Sequence, residues 1–143
     1  MAKENSPLVF LNSKNLLLRP FSMADTSLWA SWFNNPETTF SMNKGYFPVS
    51  AEDQEQRLQS RSNADIQLAI VERESDDLIG AIGIHKISWV HRTADISIII
   101  GDKNKRGKGY GKEAIGIAVN HCFKKLNLRK LTAGMWSTNV SSE

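Results

Sequence analysis

The stretch GDKNKRGKGYGKEA, residues 101–114, decides how this 143-residue chain is read. It follows the isoleucine-rich run ADISIII (94–100) and precedes Ile115, Ala118, Val119, Cys122 and Leu126, whose spacing is that of a buried helical stripe. The order is therefore strand, glycine-and-base loop, helix, with the helix running from about Tyr110 to Leu126. Such a junction aims free backbone N–H groups and the positive end of the helix dipole at one point beyond the strand end, a ready site for phosphate. Gly107, Gly109 and Gly111 leave the backbone bare, while Lys103, Lys105, Arg106, Lys108 and Lys112 supply charge. Each surface dipole contact contributes only about 0.3–1 kcal/mol, so a bound anion needs several N–H groups at once.

Outward from this loop, strands and helices alternate. Lys130–Trp136 reads as a strand after the helix, parallel to 94–100 through a right-handed crossover. On the N-terminal side, Ile66, Leu68 and Ile70 alternate as in a half-buried strand, ESDD (74–77) is a hairpin turn, and Leu78–Ile87 is the returning strand. Within it, Gly80 and Gly83 mark bulges or a close backbone approach. The run 94–100 is expected to be covered on both faces. Earlier still, Leu16–Arg19 is a short strand stopped by Pro20. Ser22 with Asp25 opens a helix carrying Leu28, Trp29, Trp32 and Phe33 on one face, and Ser50 with Asp53 caps a second, polar helix to about Gln59. Between them, residues 37–48 form a loop bearing Phe40, Met42, Tyr46 and Phe47, large apolar groups that a loop keeps when they pack or bind.

A chain that is 41% hydrophobic and 23% charged, without repeats or low-complexity linkers, reads as one soluble domain over residues 1–143. No apolar run approaches the roughly eighteen residues of a membrane span. Glu4 and Asn5 stand where an export signal would be basic and then apolar, and the lone Cys122 forms no internal disulfide, so the expected location is cytoplasmic. A net charge of +3 is too small to indicate a nucleic-acid partner. No metal site is read: His121 and Cys122 are adjacent on a helix and point about 100° apart.

Phosphate-loop patterns separate on spacing. The Walker pattern GxxxxGK[ST] fails, because Gly111-Lys112 would need a glycine at Arg106 and Ser or Thr at Glu113. Gly109, Gly111 and Ala114 do satisfy GxGxxG/A. A dinucleotide fold, however, turns directly from strand into glycines and places an acidic residue after its second strand, and neither feature is found here. That alternative stays open at this point.

RGKGYG (106–111) resembles the [QR]xxGx[GA] pyrophosphate loop of the GNAT superfamily of acyl-CoA N-acyltransferases. Leu16–Pro20 is similar to that family's opening strand LxLRP, TADISIII (93–100) to its pantetheine-pairing strand, and Asn139 with Ser142 to the NxxS that opens its next helix. The resemblance implies an α/β (α+β) fold with a mixed, largely antiparallel central sheet flanked by helices. It also implies acetyl-CoA as co-substrate, held by Arg106, Gly107, Lys108, Gly109, Tyr110, Gly111, Lys112 and Asn139, with Ile98, Ile99 and Ile100 presenting main-chain groups to the pantetheine arm. Asp95, where the family often carries Glu, becomes the general-base candidate, with a structural pairing to Arg92 as its alternative; His85 is a second, weaker base candidate.

The acceptor implied is a small primary amine. WFNNPETTFSMNKGYFP (32–48) resembles the W-x-N-[DN]-PE region of subgroups acting on amino-sugar nucleotides or protein N-terminal amines, with the sugar preferred because loop aromatics stack on it. Family members also continue past NxxS through a helix and two strands, so the sequence is expected to be C-terminally incomplete. A non-catalytic CoA-binding module, completed by a homodimer mate or another strand-supplying chain, is therefore the competing class.

Overall fold

The computed structural model describes residues 9–36, 48–60 and 63–133. Its centre is a six-stranded sheet in simple sequence order: β1 (Leu11–Asn12), β2 (Leu16–Pro20), β3 (Ile66–Glu72), β4 (Asp77–Ser88), β5 (Thr93–Ile100) and β6 (Lys130–Ala133). All neighbours are antiparallel except β5 and β6, which run parallel from Thr93↔Lys130 to Ile96↔Ala133. The long connection this requires is filled by α3 (Tyr110–Lys124), as the period of its apolar residues predicts. The mixed, largely antiparallel architecture expected from the sequence is the one observed.

Two apolar layers sandwich the sheet. On one face Leu16, Leu18, Leu68, Ile70, Ile82, Ile84, Ala94 and Ile96 pack under α3, which meets them with Ala114, Ala118 and Cys122 at i, i+4, i+8. Small residues on that stripe let the helix lie close to the strands. On the other face α1 (Thr26–Phe33) and α2 (Ala51–Gln59) cover Ala69, Ala81 and Ile99 with Trp29 and Trp32, and Phe21 stacks on Trp29 at 4.1 Å between ring centres. Burying an aromatic or large aliphatic side chain stabilises by about 1.5–3 kcal/mol, so Trp29 and Trp32 anchor this layer.

The entry to α1 is fixed electrostatically. Asp25 accepts from the Ser22 backbone N–H at 2.8 Å and from both terminal nitrogens of Arg19 at 2.8 and 3.2 Å, tying the end of β2 to the helix start. A single 3-10 turn, Met23–Asp25, intervenes. Ser50 caps α2 through Asp53, whose backbone N–H it accepts at 3.0 Å.

Three expectations are corrected. Leu28 is 45% exposed rather than part of the apolar face, because the buried stripe of α1 is Thr26, Trp29, Ala30 and Trp32, and Leu28 falls between its rows. The strand β3 is buried on both faces from Leu68 to Glu72, since helices lie above and below its second half. Conversely β5 is covered on both faces only near Ile99: Ser97 is exposed and Asp95 half-buried, because α1 and α2 reach only that end of the strand.

Candidate active site

Beyond the end of β5 the loop is held by three separate fastenings. First, the sheet bulges at Ile79, where Ile70 pairs with Gly80 but Val71 with Leu78. The Ile79 carbonyl, turned out of the β3 ladder, accepts the N–H groups of Gly101 and Asp102 at 2.9 and 3.2 Å. Second, Arg106 donates from Nε to the Ile100 carbonyl at 2.8 Å, folding the loop back over the strand end it has just left. Third, the buried Glu72 at the end of β3 accepts from Lys105 Nζ at 2.8 Å, Tyr110 Oη at 2.6 Å and Ser75 Oγ at 2.5 Å. These donors pull the Glu72 carboxyl down to about 2, with Lys105 contributing most. The same hydrogen bonds raise Lys105 and Tyr110. Glu72 was not visible as a site residue in the sequence, where it merges with the charged turn that follows.

Between these fastenings the backbone is bare. Gly107 and Gly109 have φ of +79° and +82°, the left-handed region that only glycine enters without strain, and no atom stands within 4 Å of where a Cβ would be on either. Gly109 is the N-cap of α3 and offers no side-chain cap, so the N–H groups of Tyr110, Gly111 and Lys112 begin the helix with no preceding carbonyl to bond. Lys108 and Lys112 are exposed beside them. The first turn is steadied from the N-terminal side: Glu113 accepts from the Ser13 hydroxyl, from the Asn15 backbone N–H at 2.9 Å and from Asn15 Nδ2 at 3.0 Å. Burial opposes ionisation of Glu113, yet these bonds hold its carboxyl below the usual range.

Along β5, Ile98 and Ile100 are half-buried and Ile99 is buried against Trp32 and Ala81. Their β4 side is paired, and among the described residues the pairing with β6 runs from Thr93 to Ile96. Asn139, the remaining cofactor candidate, lies outside the described residues, as do Ser142, Trp136 and the aromatic positions Phe40, Met42, Tyr46 and Phe47.

A second feature sits on the α1/α2 face, one residue back along β5. Trp29, Phe33, Arg57, Gln67, His85 and Ser97 line a small cavity of about 40 Å³. Asp95 extends the same face of β5 and is paired in register with His85 across β4. Among the described residues its carboxylate has no hydrogen bond or ion pair, so the pairing with Arg92 weighed from the sequence does not form. Arg57 sits 6.0 Å above the Trp29 ring, a cation held over an aromatic face. A larger opening of about 470 Å³, lined by Phe21, Arg57, Asp65 and Gln67 among others, adjoins this cavity at the start of β3. Groups of His, Cys, Asp and Glu able to hold a metal ion are absent among the described residues.

A strand leading into an uncapped, glycine-lined helix start, beside a cleft that carries Arg57, Gln67, His85 and Ser97 among apolar side chains, is an arrangement that can hold a phosphate-bearing donor and an acceptor on either side of one backbone edge. The family model for the acetyltransferase (GNAT) domain matches residues 15–143. The chain belongs to the GNAT acetyltransferase family. It is an acetyl-CoA-dependent N-acetyltransferase by that membership, and the dinucleotide alternative falls. Similar proteins include the uncharacterized N-acetyltransferase p20 of Bacillus licheniformis, 28% identical in a 139-residue alignment that covers 92% of this chain and 76% of that protein. The spermidine N(1)-acetyltransferase of Vibrio cholerae is 27% identical over 105 residues, 73% of this GNAT chain but only 54% of the relative. Among solved structures, a spermidine N-acetyltransferase from Vibrio cholerae in complex with CoA and spermine superposes with a TM-score of 0.73 at 26% identity, over 82% of this chain and 69% of that one. A GNAT-family acetyltransferase from Bacillus anthracis gives 0.76 at 22% identity, over 92% and 76%.

Proposed function

We propose that acetyl-CoA binds with its pyrophosphate on the backbone of residues 106–112 and its pantetheine arm along Ile98–Ile100, and that the acetyl group passes to a primary amine on the α1/α2 face. The observation that carries this reading is the bare, left-handed Gly107–Gly109 turn opening α3, with Lys108 and Lys112 at its rim. Ordinary hydrogen bonds to charged groups contribute about 1.5–3 kcal/mol each, so three free N–H groups suffice to hold a diphosphate. Asn139 is assigned to the same site by its NxxS context alone.

Acetyl transfer needs little covalent help. The amine attacks the thioester carbonyl, the C–S bond breaks, and an N–H donor from β5 at the carbonyl oxygen stabilises the charge that develops; one such donor is worth about 10²–10³ in rate. Asp95, without a hydrogen bond or ion pair among the described residues and in register with His85, supplies the negative charge that draws in the ammonium form of the acceptor. With the Asp65 carboxylate lining the adjoining opening, this side of the molecule offers a flexible aliphatic cation two acidic contacts. A polyamine, the acceptor class named for the Vibrio cholerae relatives, is therefore the first reading. It displaces the amino-sugar nucleotide preferred on sequence, whose supporting aromatics at 40–47 lie outside the described residues and whose phosphates would face these carboxylates.

The test is steady-state release of CoA thiol from acetyl-CoA with spermidine, spermine, an amino-sugar nucleotide and an N-terminal peptide amine as acceptors. Turnover highest with spermidine or spermine is expected. Turnover confined to the sugar nucleotide or the peptide would overturn the acceptor assignment.

A further inference from the structure

The α1/α2 face holds a hydrogen-bonded chain of three side chains that come from separate parts of the sequence. His85 on β4 places Nε2 at 2.8 Å from the Ser97 hydroxyl on β5, and its Nδ1 lies 3.3 Å from Asp65 Oδ1 in the approach to β3. Of the two neutral tautomers only one satisfies both contacts: Nδ1–H donates to the Asp65 carboxylate, and Nε2 accepts from the Ser97 hydroxyl.

The strand is shaped to allow this. Gly83 is paired with Ser97, and the imidazole of His85 folds back over it, so that a Cβ at position 83 would overlap the ring. Directly after His85 the β4–β5 register shifts, and Lys86 adopts φ +54°, an uncommon conformation for lysine that marks a local bulge. Both features cost the sheet regularity, and both aim one histidine at Ser97. The ring is about a quarter exposed, and His85 and Ser97 line the cavity with Trp29, Phe33 and Arg57.

We infer that Asp65, His85 and Ser97 carry the proton from the acceptor ammonium, with Ser97 in contact with the amine. This rests on the functional reading above, which puts the acceptor on this face and the thioester beside Ile98, the residue after Ser97. The ammonium gives a proton to Ser97 Oγ as the serine gives its own to His85 Nε2, and the imidazolium formed is held by Asp65 until it loses the proton to solvent. The neutral amine then forms the N–C bond, the C–S bond breaks with its electron pair going to sulfur, and the remaining surplus proton on nitrogen passes to the thiolate. Charged groups facing the ring are Asp65 on the loop before β3, Asp95 across on β5 and Arg57 on α2; Lys86 follows it in the chain and is exposed.

His85→Gln keeps a hydrogen-bonding side chain but removes the titrating ring, while Gly83→Ala keeps every titratable group and displaces the ring. Both are expected to lower kcat with spermidine by about 10²-fold, the scale of general base catalysis, while leaving acetyl-CoA affinity within about twofold. The acid limb of the kcat/KM profile should vanish in His85→Gln, an effect that a merely structural histidine would not produce. Nitrogen NMR of the wild-type ring should show the Nδ1–H tautomer without any substrate present. An active enzyme whose His85→Gln variant keeps kcat and the acid limb, or a ring found as Nε2–H, overturns the proposal alone. A folded wild-type protein that neither binds acetyl-CoA nor releases thiol with any amine overturns the functional reading, and this inference with it.

Discussion

The loop at 101–112 and the cleft on the α1/α2 face are built in opposite ways. The loop is local: apart from Asn139, every group proposed to meet acetyl-CoA lies in the single run 98–112, and what is distant in sequence, Glu72, Ser13 and Asn15, serves to hold that run in place. The cleft is assembled from Trp29, Arg57, Asp65, His85 and Ser97, no two of which are sequence neighbours, with Asp95 on the same face of β5 in register with His85. A cofactor common to a family can be met by a fixed backbone shape, which a short motif encodes. An acceptor is met by side chains, and these become a site only when the strands are in register.

The sharpest way to break that contrast is at Gly109. A valine there must adopt φ near +82°, yet its side chain projects into open space, so the fold should survive while the anion site is distorted and blocked. Loss of two charge-assisted contacts corresponds to about 3 kcal/mol, and calorimetry should show acetyl-CoA affinity falling at least about a hundredfold. Unchanged affinity would remove the loop from the cofactor site.

Asp95→Asn tests the other side. If Asp95 attracts the acceptor ammonium, kcat/KM for spermidine should fall by about tenfold or more while acetyl-CoA binding is unaffected, as read from initial rates at two ionic strengths. An equal loss for acetyl-CoA would make Asp95 a structural residue of β5.

Glu72 joins the two regions, because it ends β3 and fastens Lys105 and Tyr110 of the loop. Its carboxyl is depressed from 4.5 to about 2 in the folded protein, so its stabilising contribution is present above about pH 4.5 and is lost as pH falls toward 2. Thermal melts of wild type should therefore drop more steeply across that window than melts of Glu72→Gln, and the variant should bind acetyl-CoA more weakly at neutral pH. Parallel melting curves would show that the cluster does not stabilise the fold.

The smallest effect is expected far from both regions. Burial pushes the Cys122 thiol up to about 11, and its side chain is enclosed between α3 and the sheet. Thiol reagents at pH 8 should leave it unmodified until the protein is unfolded. Rapid labelling of the native protein would contradict the packing of α3.

Periodicity and glycine placement carried most of the fold into view. The helix α3 and the parallel β5–β6 pair follow from the spacing of Ile115, Ala118, Val119, Cys122 and Leu126 and from the need for a crossover, although the stripe that is fully buried is Ala114, Ala118 and Cys122. What failed was coverage: alternation along β5 is consistent with one face or two being buried, and only the actual reach of α1 leaves Ser97 open while covering Ile99. In the same way, the His85 contact with Ser97 depends on Gly83 being opposite that serine and on the bulge at Lys86, a register detail that no local pattern encodes. Glu72 was hidden because a carboxylate at a strand end looks like any turn residue until its three donors are seen around it.

Titration of the folded chain with acetyl-CoA by calorimetry, with NAD as the control, tests the central claim most directly. Saturable binding of acetyl-CoA that is lost in Gly109→Val, with no response to NAD, is the expected result. Failure of the folded protein to bind acetyl-CoA, or binding that Gly109→Val leaves intact, would contradict it.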